Sequence, residues 1–237
     1  MNKLIKFQFF TRNHGISKGI YKSLNCGFNS KDKEINIKKN IEIAVKKITR
    51  KKKLLILPKQ FHSNKAMIVK KSEYLYKCDG IVTNDSDFIL GITTADCLPI
   101  IFKDPKKKIV GICHAGWRGL VSGIIENTVK KMLVLKSNNI DIHAYIGPCI
   151  RKMSYEVSEK FVDNLKPKYQ NFAQVKGNKI YYDLPKLAKH ILGRLQINKI
   201  HDYKKSTFSD DNYFSYREAK KKGSSDYGRN ISLITLN

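Results

Sequence analysis

Residues 79–119 read DGIVTNDSDFILGITTADCLPIIFKDPKKKIVGICHAGWRG, the least polar part of the chain and the part that decides its fold class. Residues 79–83, 97–102 and 109–113 carry the short apolar runs of strands. Turn signals at Asn84-Asp85 and Lys103-Asp104-Pro105 separate them. Gly116 to Gly119 breaks the pattern. A helix follows, with Leu120, Ile124, Val129 and Met132-Leu133 on one side.

Outward from this centre the same two periods recur. Strands are expected at 3–10, 54–57, 66–70, 142–147 and 231–236. Ile37, Ile41, Ala44, Val45 and Ile48 keep helical spacing, which predicts a helix over 34–49. Further helices are expected at 157–165 and 184–196. Residues 11–31 form a polar, glycine-containing loop of a length that is uncommon without a function. Strands and helices mix without strict alternation, and no repeat or low-complexity linker divides the 237 residues. The expectation is a single α+β domain over 1–237, with mixed β-sheet layers flanked by helices.

Composition bounds the function. Hydrophobic residues are 41% of the chain, enough for a packed core, which excludes disorder throughout. No apolar run approaches the roughly 18–20 residues that span a bilayer. The N-terminus MNKLIKFQFF interrupts its apolar residues with lysine and lacks the core of a secretory signal. A cytoplasmic protein is expected.

Lys and Arg number 46 against 20 Asp and Glu, a net charge of +26. Such a balance invites a nucleic-acid reading. Yet the cations are mostly lysine in scattered runs, asparagine and isoleucine are abundant too, and no zinc-finger, RNA-binding aromatic or basic-zipper motif is present. The charge is therefore read as compositional, on a solvated surface, and specific nucleic-acid binding is not expected. The five cysteines (Cys26, Cys78, Cys97, Cys113, Cys149) are odd in number and include no CxxC pair, so no disulfide framework is expected.

Polar residues concentrate in three segments at the ends of apolar strand candidates: Gln60-Phe61-His62-Ser63, Thr93 to Pro99, and Cys113 to Gly119. Strand ends let side chains converge while the scaffold stays rigid. His62, Cys97 and His114 offer two imidazoles and a thiolate, which suits zinc with a fourth position left open. Zinc lowers the pKa of bound water toward ~7 or polarises an oxygen. The same residues suit nucleophilic catalysis, with Cys97 attacking and His62 or His114 as base.

The sequence resembles the laccase-domain family, long labelled multicopper polyphenol oxidase and now regarded as purine nucleoside phosphorylase. The resemblance rests on Phe10-Thr11-Arg12, Gly15 to Tyr21, Ser23 to Gly27, Gln60 to Ser63 and Asp79 to Thr83. It continues through Thr94 to Pro99, His114 to Gly119, Ile146 to Ile150, Tyr155 to Val157, Phe214 to Arg217 and Gly228-Arg229. It implies an α+β fold and a metal, Zn2+ with Cu2+ as the alternative, on His62, Cys97 and His114. It implies phosphorolysis of purine nucleosides (adenosine, inosine, guanosine, methylthioadenosine) to free base and ribose 1-phosphate, with adenosine deamination as an associated activity. Arg118, Arg217 and Arg229 are candidates for phosphate or ribose, since a guanidinium fork suits oxyanions. Arg12 and Asn25 are expected to close over substrate, Gln60 to contact it, and Asp96 to support Cys97 or carry a proton. Two departures stand out: Asn13-His14-Gly15 where members often carry two glycines, and Ser206-Thr207 where members often carry Cys-Thr.

Two other classes compete. A copper oxidase acting on phenols needs many histidines, and the chain has six: His14, His62, His114, His143, His190 and His201. A nucleic-acid-binding protein would rest on the +26 charge alone.

Overall fold

The computed structural model describes residues 5–71 and 75–237. In chain order the elements are β1 (Ile5–Phe9), α1 (Glu34–Ile48), β2 (Leu54–Ile56), β3 (Ala66–Ile68), β4 (Gly80–Thr83), β5 (Phe88–Thr94), β6 (Leu98–Asp104) and β7 (Ile109–Ala115). Then come α2 (Trp117–Ser122), α3 (Ile124–Val134), β8 (His143–Ile146), β9 (Glu156–Val157), α4 (Glu159–Asp163) and α5 (Pro167–Gln170). The chain closes with β10 (Ala173–Lys176), β11 (Lys179–Tyr182), α6 (Leu184–Arg194), β12 (Lys199–Asp202), α7 (Tyr216–Lys221) and β13 (Asn230–Leu236).

The strands form three sheets: β1-β13-β5-β2, β12-β8-β6-β7-β4-β3 and the small β10-β11-β9. The first two are mixed. Pairing is parallel at β2–β5, β3–β4 and β8–β12, and antiparallel between the other neighbours. The two larger sheets pack face to face. Leu90, Ile92 and Ile234 of one meet Ile81, Ile101, Val110 and Ile112 of the other. The alternate residues of the four-stranded sheet, Ile89, Ile231 and Leu233, pack against Ile37, Ile41 and Ala44 of α1. Those of the six-stranded sheet, Ile100, Phe102 and Cys113, pack against α3 and α6. The result is helix, sheet, sheet, helix, the mixed α+β architecture expected from sequence. Central strands covered on both faces read as unbroken apolar runs because neither of their sides meets water.

Three expectations need correction. Phe88–Thr94, where no element is expected from sequence, is β5, paired with both β2 and β13. The single helix after Gly119 is two: α2 starts at Trp117, and Gly123, at φ 101°, breaks the chain before α3. A left-handed residue cannot continue a helix, and glycine adopts that conformation without a Cβ clash. The helix expected over 157–165 shrinks to α4, because Glu156 and Val157 pair with β11 and Ser158 caps the helix by accepting from the Phe161 N–H. Of the strand expected at 3–10, Lys3 and Leu4 lie outside the described residues. No helix among the described residues is long and apolar enough to cross a membrane.

Candidate metal centre and substrate cavity

The end of β5, the start of β6 and the end of β7 come together at one end of the two-sheet sandwich, and the loop of residues 60–63 folds across them. On β7, side chains alternate. Val110, Ile112 and His114 therefore face the inter-sheet layer, while Cys113 turns toward the helices. Cys97 immediately precedes β6. His62 arrives from the loop after β2.

The potential ligand atoms of His62, Cys97 and His114 lie within 4.8 Å of one another. Among the described residues they form the one such group of three or more His, Cys, Asp or Glu. Cys97 Sγ is 3.9 Å from His62 Nε2, and the two imidazole rings meet edge to face at 4.7 Å. For tetrahedral zinc, bond lengths near 2.0 and 2.3 Å put nitrogen and sulfur about 3.6 Å apart. Two imidazoles and one thiol gathered this closely suit a zinc-type ion. Gly116 makes room for the cluster: a Cβ there would lie 2.9 Å from Cys97 Sγ and 3.1 Å from His62 Cδ2. The glycine that breaks the strand pattern in the sequence is thus a close-approach position.

Asp79 holds the cluster together. Its fully buried carboxylate accepts from the backbone N–H groups of Phe61, His62 and Ser63, at 3.3, 3.0 and 2.6 Å. It also accepts from the Ser63 hydroxyl at 2.7 Å and pairs with His114 Nδ1 at 2.8 Å. One carboxylate thus fixes the loop that carries His62 and the ring plane of His114, and leaves His114 Nε2 for the cluster. Such an outer partner sets the tautomer of a ligating histidine. Three successive N–H groups converging on one anion also hold His62 at φ 62°, a conformation unfavourable for a residue with a Cβ. Burial opposes charge on Asp79, but the bonds from His114 and Ser63 outweigh it and hold the carboxyl at about 2. Burial likewise opposes charge on Cys97 and His114. Their attraction to each other overrides it, favouring thiolate and imidazolium. Sequence alone gives Asp79 no definite role. Its signal there is an acidic residue directly ahead of a strand buried along its whole length.

The triad forms the floor of a cavity of about 490 Å³, within the range of small-molecule sites. Phe28, Leu57, Pro58 and Leu75 supply an apolar wall. Lys59 and Arg229 supply cations, and Thr93 and Thr94 border the triad. Arg229 is aimed by its neighbours: one guanidinium nitrogen donates to the Tyr227 carbonyl at 2.7 Å, and the group lies 4.2 Å over the Tyr227 ring. Phe28, Lys59, Leu75 and Tyr227 are not among the residues expected from sequence. They come from loops whose convergence carries no local motif.

The other expected residues fall in different places. Gln60 lines the cavity, but its amide is engaged with β5, accepting from the Thr93 N–H and donating to the Thr93 carbonyl, both at 2.9 Å. Asn25 is buried inside the N-terminal loop, where its carbonyl accepts from the N–H groups of Gly27 and Arg229 and its amide donates to Ser30 and Asp32. It therefore braces Arg229 rather than facing the cavity. Arg12 donates to the Lys22 carbonyl at 2.6 Å and lies over the Phe214 ring, away from the cavity lining. Arg118 is exposed over Trp117. Arg217 donates to the Glu156 carbonyl and lies over Tyr155. Asp96, at φ 83°, points away from Cys97 and accepts from the Thr207 hydroxyl and the Arg217 N–H, both at 2.6 Å. Burial pushes its carboxyl up. It ties its own loop to the Thr207 loop and to the start of α7, and the threonine of the Ser206-Thr207 departure supplies one of the ties.

A mixed α+β scaffold that gathers two imidazoles and a thiol at the floor of a cavity has the make of a metal-site protein. Comparison with known proteins says which kind. Residues 6–237 match the family described as multi-copper polyphenol oxidoreductase laccase, and the chain belongs to it. A relative from Bacillus subtilis (strain 168), named purine nucleoside phosphorylase YlmD, is 34% identical over 206 residues, 81% of this chain and 74% of that protein. One from Haemophilus influenzae, named purine nucleoside phosphorylase, is 32% identical over 90% of this chain and 88% of its own length. Among solved structures, Neisseria meningitidis protein NMB0706 is 28% identical and superposes with a TM-score of 0.86, over 99% of this chain and 95% of that one.

Proposed function

We propose that this chain is a zinc-dependent purine nucleoside phosphorylase, acting on adenosine and inosine, and on guanosine and methylthioadenosine, to release free base and ribose 1-phosphate. The observation that carries the reading is the His62–Cys97–His114 cluster at the floor of a cavity with an apolar wall on one part and Arg229 and Lys59 on another. The relatives' names point the same way.

In phosphorolysis a phosphate oxygen bonds to the anomeric carbon of the ribose as the bond to the purine nitrogen breaks, and the departing base takes up a proton. Phosphate needs fixed positive charge beside the sugar. Arg229, already oriented by Tyr227, and Lys59 provide it. The purine needs a flat apolar surface, which Phe28, Leu57 and Pro58 offer. His62, Cys97 and His114 would hold zinc, which when bound would supply an electrophile able to polarise a substrate oxygen. Asp79 keeps His114 and the His62 loop in the geometry that makes this possible. Adenosine deamination at the same centre is a secondary activity in this reading. The five unpaired thiols suit the reducing cytoplasm, where we place the protein.

A product assay tests the reading. Zinc-loaded and metal-stripped protein is given adenosine or inosine, with and without phosphate. Phosphate-dependent release of base, lost on stripping and in Cys97→Ala, is the expected result. Phosphate-independent conversion of adenosine to inosine would make the protein mainly a deaminase. Oxidation of a phenol by the copper-loaded protein, with no nucleoside turnover, would restore the oxidase alternative.

A further inference from the structure

The six-stranded sheet is the wider of the two, and its β12 side runs out beyond β1, the edge of the smaller sheet. There the strand register lines up two rows. Lys199 of β12, His143 of β8 and Lys103 of β6 stand opposite one another, and so do His201, Tyr145 and Ile101. Partners in register share a face of the sheet. One row is therefore basic and its neighbour aromatic. Beyond Ile101 the face closes into the core, while Lys199 and His201 are exposed.

The rings form a continuous patch. His201 stacks on Tyr145 at 4.6 Å with planes 13° apart, and His143 lies parallel to His201 at 6.2 Å. Phe7 packs on Tyr145 from below at 4.6 Å, and Phe9 supports Tyr203 at 4.9 Å. Tyr203 continues the β12 ladder by donating its N–H to the Ile146 carbonyl, and it is 48% exposed. His201 and Tyr203 thus present two exposed rings on one side of an edge strand, about 7 Å apart along extended backbone. The Lys103 ammonium lies 5.0 Å from the Tyr145 ring.

No carboxylate among the described residues stands on this face of β6, β8 and β12. Asp104 and Asp202 point to the opposite face, with Asp104 fully buried and Asp202 held by Arg151 and Lys189. Asp141, whose charge Lys199 feels, is taken by Lys106 at 2.7 Å. Among the described residues neither Lys103 nor Lys199 is paired with a carboxylate. The two lysines that flank His143 in this row repel one another, and a second copy of a chain carrying +26 would add to that repulsion. A polyanion relieves it.

We infer that the β12 edge, with His201 and Tyr203 as stacking rings and Lys103 and Lys199 as the cationic row, is a binding surface for single-stranded nucleic acid. A cationic track beside exposed rings is how strands are bound without sequence preference: the backbone follows the charge and the bases stack. The surface is separate from the metal cavity, so occupancy leaves nucleoside turnover untouched. It also gives two of the many lysines, read from sequence as compositional, a place where they act.

The test is fluorescence anisotropy with a labelled 15-mer of thymidylate, titrated with the full chain at several salt concentrations. The His201→Ala/Tyr203→Ala variant is expected to bind about tenfold more weakly or worse. The Lys103→Gln/Lys199→Gln variant is expected to flatten the slope of log affinity against log salt by about 1.4, that is ~0.7 for each phosphate that a lysine no longer neutralises. Unfolding midpoints and zinc content of both variants should match the parent chain. Binding undiminished in the ring variant would overturn the proposal, as would equal competition by inorganic polyphosphate, which has no bases. So would light scattering that shows a dimer formed through this face with no oligonucleotide bound.

Discussion

Replacing Asp79 by asparagine tests the centre of the site most sharply. The carboxylate has two acceptor oxygens and no proton to give. Oδ2 accepts from the Ser63 N–H, the Ser63 hydroxyl and the Phe61 N–H; Oδ1 accepts from the His62 N–H and pairs with His114 Nδ1. An amide cannot satisfy both sides. With its oxygen toward His114, its NH2 faces the N–H groups of Ser63 and Phe61, and two bonds to a charged acceptor are lost. With its oxygen toward Ser63, its NH2 faces the His62 N–H and forces His114 Nδ1 to accept. The imidazole proton then moves to Nε2, the atom needed for metal. Hydrogen bonds to charged groups contribute about 1.5–3 kcal/mol each, so the two lost in Asp79→Asn should lower unfolding free energy by about 3–6 kcal/mol. Loss of the outer partner should weaken zinc binding about 10- to 100-fold. Urea unfolding reads the first quantity, and competition with a chromophoric chelator reads the second. Ser63→Ala serves as the companion: it removes one hydroxyl donor to the charged carboxylate, should cost about 1.5–3 kcal/mol, and should leave zinc affinity alone. A folded Asp79→Asn protein that binds zinc within about twofold of the parent would refute the claim that this carboxylate sets the ligand geometry.

Gly116→Ala places a methyl 2.9 Å from Cys97 Sγ; zinc content after dialysis should fall while the unfolding midpoint moves little, and a fully loaded variant would show that the cluster has slack. Arg229→Lys keeps the charge but loses the fork aimed by Tyr227, so KM for phosphate in the phosphorolysis assay should rise about tenfold with KM for nucleoside much less affected. Acid stability should depend on Asp202, where burial opposes the charge but bonds from Arg151 and Lys189 hold the carboxyl at about 2. A depressed carboxyl stabilises above its unfolded value of about 3.9 and loses that contribution as pH falls through its folded value. Asp202→Asn should therefore be less stable than the parent by about 2.5 kcal/mol at pH 6 and by only about 0.4 kcal/mol at pH 2, where the folded carboxyl is half protonated; equal gaps at both pH values in urea melts would remove the ion-pair explanation.

How much of this is legible without coordinates differs from element to element. Strands β4, β6 and β7 announce themselves as apolar runs between turn residues, and α1 and α6 through helical spacing, because burial of one face leaves a periodic trace. Strand β5 escapes, since its apolar run merges directly into the polar TTADC segment. Strand β9, a two-residue pairing with β11, leaves no period to detect. The His62, Cys97 and His114 cluster is legible by residue type and by resemblance, at strand ends where chemistry gathers. The expected substrate residues are not equally legible. Asn25, Arg12 and Asp96 are polar residues in matched motifs, yet the structure spends their side chains on loop carbonyls, N–H groups and a ring.

The sequence by itself determined the mixed α+β layering, the apolar strands at its centre and the kinds of atom available for a metal, because these follow from composition and local period. Tertiary structure alone decided that Asp79 serves both His62 and His114, that a side chain on Gly116 would crowd Cys97, and that Arg229 rather than Arg12, Arg118 or Arg217 lines the cavity. It also decided that Lys103, His143 and Lys199 form one row. The reason is the same in each case: these relations join residues far apart in the chain. They are set by strand register and loop closure, and neither leaves a mark within a short window of sequence.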